Sequence, residues 1–199
     1  MTSSYTPLLW RQSKVIFIPK LGKEDYSKAK SFRPISLTPF LFKAVERLNY
    51  WEIQETTLKD SPINSKQHAF LMGRSTETAI SQTVNYIEKG LRKRNFALAT
   101  FIDIASAFNR LDPDAAIKAM ADKNISPPII KWYGSYLKNR VSDVTLKGID
   151  KMSNLSMGCP QGGVLSVLIW ILAFDGLLDQ FKDFFFLVVE PDVRAKVAH

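Results

Sequence analysis

Cysteine and histidine are almost missing from this chain of 199 residues: Cys159 is the only cysteine, and His68 and His199 are the only histidines. No internal disulfide can form and no Cys/His cluster can hold zinc, so a reduced, intracellular setting is expected. Acidic residues are also short, 19 against 27 Lys and Arg, and most of the net charge of +8 falls within the first 50 residues. Such a balance suits a polyanionic partner, nucleic acid above all, although a basic face can also serve solubility alone. The N-terminal segment lacks the basic start and apolar core of a secretory signal. The strongest apolar run, residues 164–178, is interrupted by Asp175 and is shorter than the roughly 20 residues that span a bilayer. It predicts a buried helix, and no membrane partner is expected. Repeats and low-complexity stretches are absent, while 46% hydrophobic and 12% aromatic residues suffice for a sizeable core.

What is present divides into short elements punctuated by Pro and Gly. Residues 14–20, Lys-Val-Ile-Phe-Ile-Pro-Lys, predict a strand that runs into the polar turn 21–25. A second extended piece follows over 31–37, because Arg33 precedes Pro34 and the residue before proline avoids the helical region. Together they predict a basic, hairpin-like lobe. Thr38-Pro39 then supplies an N-cap and an N1 proline for a helix whose apolar face would carry Leu41, Val45 and Leu48. A second helix should start near Ser75 and bury Ile80, Val84, Ile87 and Leu91 before ending in Arg92-Lys93-Arg94. Residues 96–104 predict a buried strand ending near Asp103. Asp112-Pro113 and Ser126-Pro127 cap two further helices, the second carrying Ile130, Tyr133 and Leu137. Strands are expected over 141–147 and 184–189.

Asp103 sits between Ile102 and Ile104, where a carboxylate must reach water, a cation or a partner. It can cap a turn, or it can bind Mg²⁺, a hard ion that takes one or two carboxylates with water and phosphate oxygens. The run Gly158-Cys159-Pro160-Gln161-Gly162-Gly163 lets backbone approach a ligand, and equally suits a plain strand-to-helix turn. It is neither a P-loop nor a dinucleotide fingerprint. Cys159 has no histidine near it in sequence and is expected to be structural. Lys14, Lys20, Lys23 and Arg33 could bind phosphates or form a solvated face. His68 reads as structural or capping, and Asp175 as facing a polar groove.

Five pieces stand in one order: Phe17-Ile18-Pro19-Lys20; Phe32-Arg33-Pro34-Ile35-Ser36-Leu37; Gln67-His68-Ala69-Phe70 with Gly73-Arg74-Ser75-Thr76; Phe101-Ile102-Asp103 with Ala107-Phe108; and Gly158 to Ser166. Over roughly residues 11–180 the set resembles the reverse transcriptase domain of non-LTR (LINE-like) retrotransposons. The resemblance implies an α+β fold, the fingers and part of the palm of a right-hand polymerase. Residues 1–95 would be fingers-like, 96–110 the first palm segment, 111–150 the connecting region, and 151–199 the partial palm with its Gly-rich loop and apolar helix. It also implies RNA-directed DNA polymerase activity, with an RNA template and DNA primer or RNA–DNA hybrid as partners and deoxynucleoside triphosphates as substrates. Lys20 and Arg33 would contact the triphosphate, and Asp103 would be the catalytic, Mg²⁺-binding aspartate. Phe108 would exclude a ribose 2′-hydroxyl, while Gln161 and Gly162 would position template and nucleotide.

Two departures accompany the match. Asn109 replaces an aspartate that usually follows the Ala-Phe pair, and the adjacent Asp-Asp pair expected on a later hairpin occurs nowhere in the 199 residues. The chain is therefore expected to be catalytically incomplete, with a non-catalytic nucleic-acid-binding remnant or a pseudogene product as the alternatives.

Overall fold

The computed structural model describes residues 5–99, 101, 104, 106–146 and 149–178. A single helical turn, α1 (Leu8–Arg11), leads directly into β1 (Gln12–Pro19), whose Val15 and Ser13 turn inward. β2 (Phe32–Leu37) pairs with it antiparallel, from Lys14 opposite Leu37 to Pro19 opposite Phe32. The expected hairpin-like lobe is thus present. Its connection is fastened by local bonds: the Lys20 amide donates to the Ser31 carbonyl at 2.8 Å, and the Tyr26 hydroxyl donates to the Lys20 carbonyl at 2.8 Å.

β3 (Arg140–Leu146) lies parallel to β1, and β4 (Ile149–Leu155) runs antiparallel to β3, giving the sheet order β2-β1-β3-β4. One sheet so draws strands from residues 12–37 and 140–155. β4 has no counterpart among the sequence expectations. Its residues Ile-Asp-Lys-Met-Ser-Asn-Leu lack the β-branched run that marked β1, and it is a sheet edge with exposed side chains that takes its register from β3.

Among the described residues, seven further α-helices follow β2. They are α2 (Phe40–Glu55), α3 (Thr57–Asp60), α4 (Thr76–Arg92), α5 (Ala107–Arg110), α6 (Pro113–Asp122), α7 (Pro127–Lys138) and α8 (Val164–Leu178). α2 starts one residue later than expected, with Pro39 rather than Thr38 at the N-cap. At α4 the Ser75 hydroxyl accepts from the Thr78 amide while the Thr78 hydroxyl accepts from the Ser75 amide, a reciprocal capping box. Asp112 caps α6 by accepting from the Ala115 amide at 3.1 Å, with Pro113 at N1.

The core lies among α2, α6, α7 and α8. Phe42, Tyr133, Tyr136, Leu137, Leu165 and Ile169 are fully buried there, and the Phe42 and Tyr136 rings approach to 4.2 Å between centroids. Each such side chain contributes about 1.5–3 kcal/mol by leaving water. α8 is apolar on every side and is enclosed accordingly. Among the described residues no helix is long and apolar enough to cross a membrane.

Three expectations about burial fail. α2 turns Phe42, Glu46, Asn49 and Ile53 to the core and leaves Leu41 and Leu48 exposed. The helix carries two apolar stripes, and packing of Phe42 among Trp132 and Tyr136 selects the one that includes a carboxylate. α4 forms as expected but buries only Ala79; Ile80, Val84 and Leu91 are exposed because no described element packs along that face. Residues 96–99 form no strand, and Phe96 and Leu98 stand in solvent, since none of the four strands pairs with them. Asp103 and the strand expected over 184–189 lie outside the described residues.

Candidate functional site

The Gly-rich loop between β4 and α8 is the point where distant segments meet. On one side it joins β2: the Ser36 amide donates to the Gln161 carbonyl at 2.8 Å. Gly162, at φ +115°, is so close that a Cβ there would lie 3.0 Å from the Ser36 carbonyl oxygen and 3.4 Å from Ile35 Cγ2. On another side the loop joins α5 and its exit. The Cys159 amide donates to the Phe108 carbonyl at 2.8 Å, and the Gly158 amide to the Leu111 carbonyl at 2.7 Å. Gly158 is at φ +80°, and a Cβ would meet the Asn109 carbonyl oxygen at 2.7 Å, so backbone freedom and lack of a side chain are both required.

The hairpin register fixes which basic residues share a face. Opposite residues in an antiparallel pair share a face, and faces alternate along each strand. Arg33 is paired with Ile18 and Ile35 with Ile16, so Arg33, Ile35, Ile16 and Ile18 lie on one face. Lys20, one step beyond the ladder and bonded through its amide to Ser31, continues it. Gly162 meets the open edge of β2, at the Ser36 carbonyl and the side chain of Ile35, and Ile35 shares its face with Arg33. Arg33 and Lys20 are both half-buried, not fully exposed as a solvated face would have them.

Phe108 is held by aromatic neighbours, stacked on Trp170 at 6.0 Å and edge-on to Phe70 at 6.4 Å. The structure thus brings together the 158–163 loop, the backbone of Phe108 and the edge of β2 at Ile35 and Ser36; Lys20 and Arg33 belong to the same hairpin but not to these contacts. Asp103, five residues before Phe108, is outside the described residues. Among those described, no group of three or more His, Cys, Asp or Glu could hold a metal ion.

Two side chains that sequence reasoning passed over hold the loop in place. The buried Arg140 guanidinium donates to the carbonyls of Met157 at 2.8 Å and Gly158 at 2.6 Å. At the other end, the carboxylate of Glu46 accepts from the amides of Val164 at 3.1 Å and Leu165 at 3.3 Å, the first residues of α8. Burial pushes the Glu46 carboxyl up to about 7, against the opposing pull of those amides and of Lys43 and Arg47. A signal for Glu46 existed: it shares the stripe Phe42, Asn49, Ile53 at helical spacing, an acid on an apolar face.

Other candidates have structural work. Burial pushes the Cys159 thiol up to about 12, so it is inert at neutral pH, as expected of a structural cysteine. Buried His68 lies 2.9 Å from the Thr78 hydroxyl and 3.2 Å from Gln82 Oε1, tying the 64–70 segment to α4. Asp175 is buried beside a groove between α6 and α8, paired with Lys123 at 2.8 Å and accepting from the Asn64 amide at 2.8 Å. Arg92 is engaged by Glu88 one turn earlier on α4.

The α+β fold, in which the edge of a basic hairpin meets a glycine loop that is bonded in turn to an aromatic turn, is that of part of a polymerase hand, fingers with a piece of palm. Residues 18–195 match the model of the reverse transcriptase (RNA-dependent DNA polymerase) family, and the chain belongs to that family. Its curated relatives are products of non-LTR retrotransposons. The RNA-directed DNA polymerase from mobile element jockey of Drosophila melanogaster is 30% identical over 174 residues, covering 83% of this chain and 18% of the relative. A putative 115 kDa protein in the type-1 retrotransposable element R1DM of the same species is 25% identical over 201 residues, covering 96% of this chain and 19% of the relative. The chain therefore spans under a fifth of the length of these relatives. Among solved structures, apo telomerase from Candida tropicalis, truncated from its C-terminal domain, superposes with a TM-score of 0.57 at 16% identity. That match covers 91% of this chain and 42% of the telomerase chain, and it concerns the fold.

Proposed function

We propose that the chain forms the fingers and part of the palm of an intracellular RNA-directed DNA polymerase, and that these 199 residues alone are catalytically incomplete. The carrying observation is the joining of the loop, at Gln161 and Gly162, to the edge of β2, the strand that carries Arg33 and pairs with β1. In this reading Lys20 supplies a point charge and Arg33 a bidentate fork to the triphosphate of an incoming deoxynucleotide. Gly162 lets the backbone approach the base pair, and the Gln161 side-chain amide can both donate and accept there. Phe108 limits the room beside the sugar.

Asp103 would hold Mg²⁺, which when bound would neutralise phosphate oxygens and assist departure of pyrophosphate. A second carboxylate is needed to share a pair of such ions. Asp175 is committed to Lys123, and adjacent aspartates do not occur in the sequence. No step is therefore assigned to the ion within these residues. The RNA template as partner is supported by family membership and by a fold neighbour, a Candida tropicalis telomerase solved in complex with a fragment of telomeric RNA.

The lack of adjacent aspartates in these 199 residues favours one competing reading, a non-catalytic domain that only holds RNA through phosphates. Primer extension on an RNA template with Mg²⁺ or Mn²⁺, comparing the chain with Asp103→Ala, separates the possibilities. Binding without extension is the expected result. Extension abolished by the substitution would refute incompleteness, and absence of any RNA or hybrid binding would refute the functional reading.

A further inference from the structure

The N-terminus of α8 is capped from far away. Gly163 occupies the place where a Ser, Thr or Asp would normally accept from the first amides of the helix. A side chain there would be crowded and neighbours would have to shift: a Cβ on Gly163 would meet Ser166 Oγ at 2.5 Å, Pro160 Cγ at 3.0 Å and Glu46 Oε1 at 3.2 Å. The carboxylate of Glu46, 118 residues earlier on α2, fills that space and takes the Val164 and Leu165 amides instead. A carboxylate in a wholly buried position is costly, and an uncharged residue with a local cap would hold a helix more cheaply. What the distant acid adds is geometry, because α2 follows β2 after only two residues, Thr38 and Pro39. Glu46 therefore ties the exit of the glycine loop to the element that extends the hairpin. Arg140 does the same at the loop entrance, gripping the carbonyls of Met157 and Gly158 from the first residue of β3, whose strand is paired with β1. A carboxyl group accepts from amides at one end and a guanidinium donates to carbonyls at the other, and Gln161 and Gly162 lie between them.

We propose that Glu46 is a positioning residue: acting through the start of α8, with Arg140 as its counterpart at the loop entrance, it holds Gln161 and Gly162 against the edge of β2 in the arrangement that an incoming nucleotide requires. This rests on the functional reading above. Glu46 touches no ligand itself. Its loss should impair recognition of the nucleotide more than the initial capture of template and primer, which depends on the basic hairpin and on salt-sensitive phosphate contacts.

The test uses residues 1–199, an RNA template annealed to a DNA primer, and Mg²⁺ with each deoxynucleoside triphosphate in turn. Template–primer affinity is measured first by fluorescence anisotropy; the gain in affinity on adding the complementary nucleotide, relative to a mismatched one, is measured second. Glu46→Ala is expected to reduce the second quantity about tenfold, the cost of about one hydrogen bond to a charged group, and to change the first by less than about twofold. Glu46→Gln, which keeps an acceptor at the same reach, should restore most of the loss. Glu46→Asp keeps the charge but is shorter by one methylene, so it should resemble Ala; it also carries the test should the Ala variant fail to fold. Equal loss in both quantities, or no loss in either from a folded Ala or Asp variant, would overturn the positioning role. A parent chain that binds template–primer but gains nothing from the complementary nucleotide would overturn it too. A parent chain that binds no template–primer at all would remove the functional reading beneath it.

Discussion

Cys159 and Phe108 are 51 positions apart in sequence, yet the Cys159 amide donates to the Phe108 carbonyl at 2.8 Å and its thiol leans on the same oxygen at 3.7 Å. That double contact joins the glycine loop to the turn that follows Asp103 in sequence. Two motif segments that are silent when read singly become one surface through a peptide group.

The tightness of this joint predicts a large effect from a small side chain. Gly158→Ala would place a methyl group 2.7 Å from a backbone oxygen at positive φ, where neither atom can move cheaply. A stability loss of about 3 kcal/mol or more is expected in urea unfolding. Gly90→Ala, with open space around its Cβ on α4, should be neutral or slightly stabilising.

The Glu46 carboxyl gives the chain a defined pH response. Its folded value of about 7 lies above the ordinary 4.5, so the folded state binds the proton more tightly than the unfolded one. Stability from this group is full below about pH 4.5 and is lost as pH rises through 7, a change of order 3 kcal/mol. Chemical denaturation from pH 4.5 to 8 should show this decline, and Glu46→Gln should flatten it. An unchanged profile in the variant would assign the decline to other groups.

Lys123 and Asp175 form an ion pair with side chains only 16% and 5% exposed. Removing one partner leaves the other charge buried, so Lys123→Met or Asp175→Leu alone should cost about 3–5 kcal/mol. The double substitution should cost much less than the sum. Additive losses would mean that the two charges do not interact.

Binding to an RNA–DNA hybrid should weaken linearly in log affinity as log salt rises. Lys20→Ala combined with Arg33→Ala is expected to reduce both affinity and the steepness of that line, by about one to two released counterions, while far-ultraviolet circular dichroism stays unchanged. A slope identical to the parent's would place the phosphate contacts elsewhere on the chain.

The buried thiol predicts slow chemistry. Cys159, at about 12 and 2% exposed, should resist iodoacetamide at pH 8 and react only as fast as the protein opens. Rapid labelling of the folded chain would show that the loop leaves its seat on Phe108.

Elements with a local physical signature were legible before the structure. The β-branched run 15–18, the proline that keeps Arg33 extended, and the caps Ser75 and Asp112 each act within a few residues, and each element formed where they indicated. Faces were harder to read. Leu41 and Leu48 mark an apolar stripe as good as that of Phe42 and Ile53, and only the aromatic cluster on α7 decides between them. β4 owes its register to β3, and residues 96–99 lack a pairing strand, so both outcomes depend on what lies alongside and not on what lies within. Around the loop, Gln161, Gly162 and Phe108 stand in motif pieces visible in the sequence, whereas Glu46 is marked only as an acid on an apolar stripe, and its partner 118 positions away, like that of Arg140 17 positions away, is not legible from the residues around it.

The parallel pairing of β1 with β3 also sets a schedule for synthesis. Pro19 leaves the ribosome about 120 residues ahead of Arg140, an interval of roughly 6–24 s at ordinary translation speeds. During that time the nascent hairpin carries one unpaired edge along β1, facing whatever else the cell offers to an open strand. Chaperone capture, or pausing within codons 20–140, would accordingly alter the yield of folded chain more than either would for a protein whose sheet is built from consecutive strands.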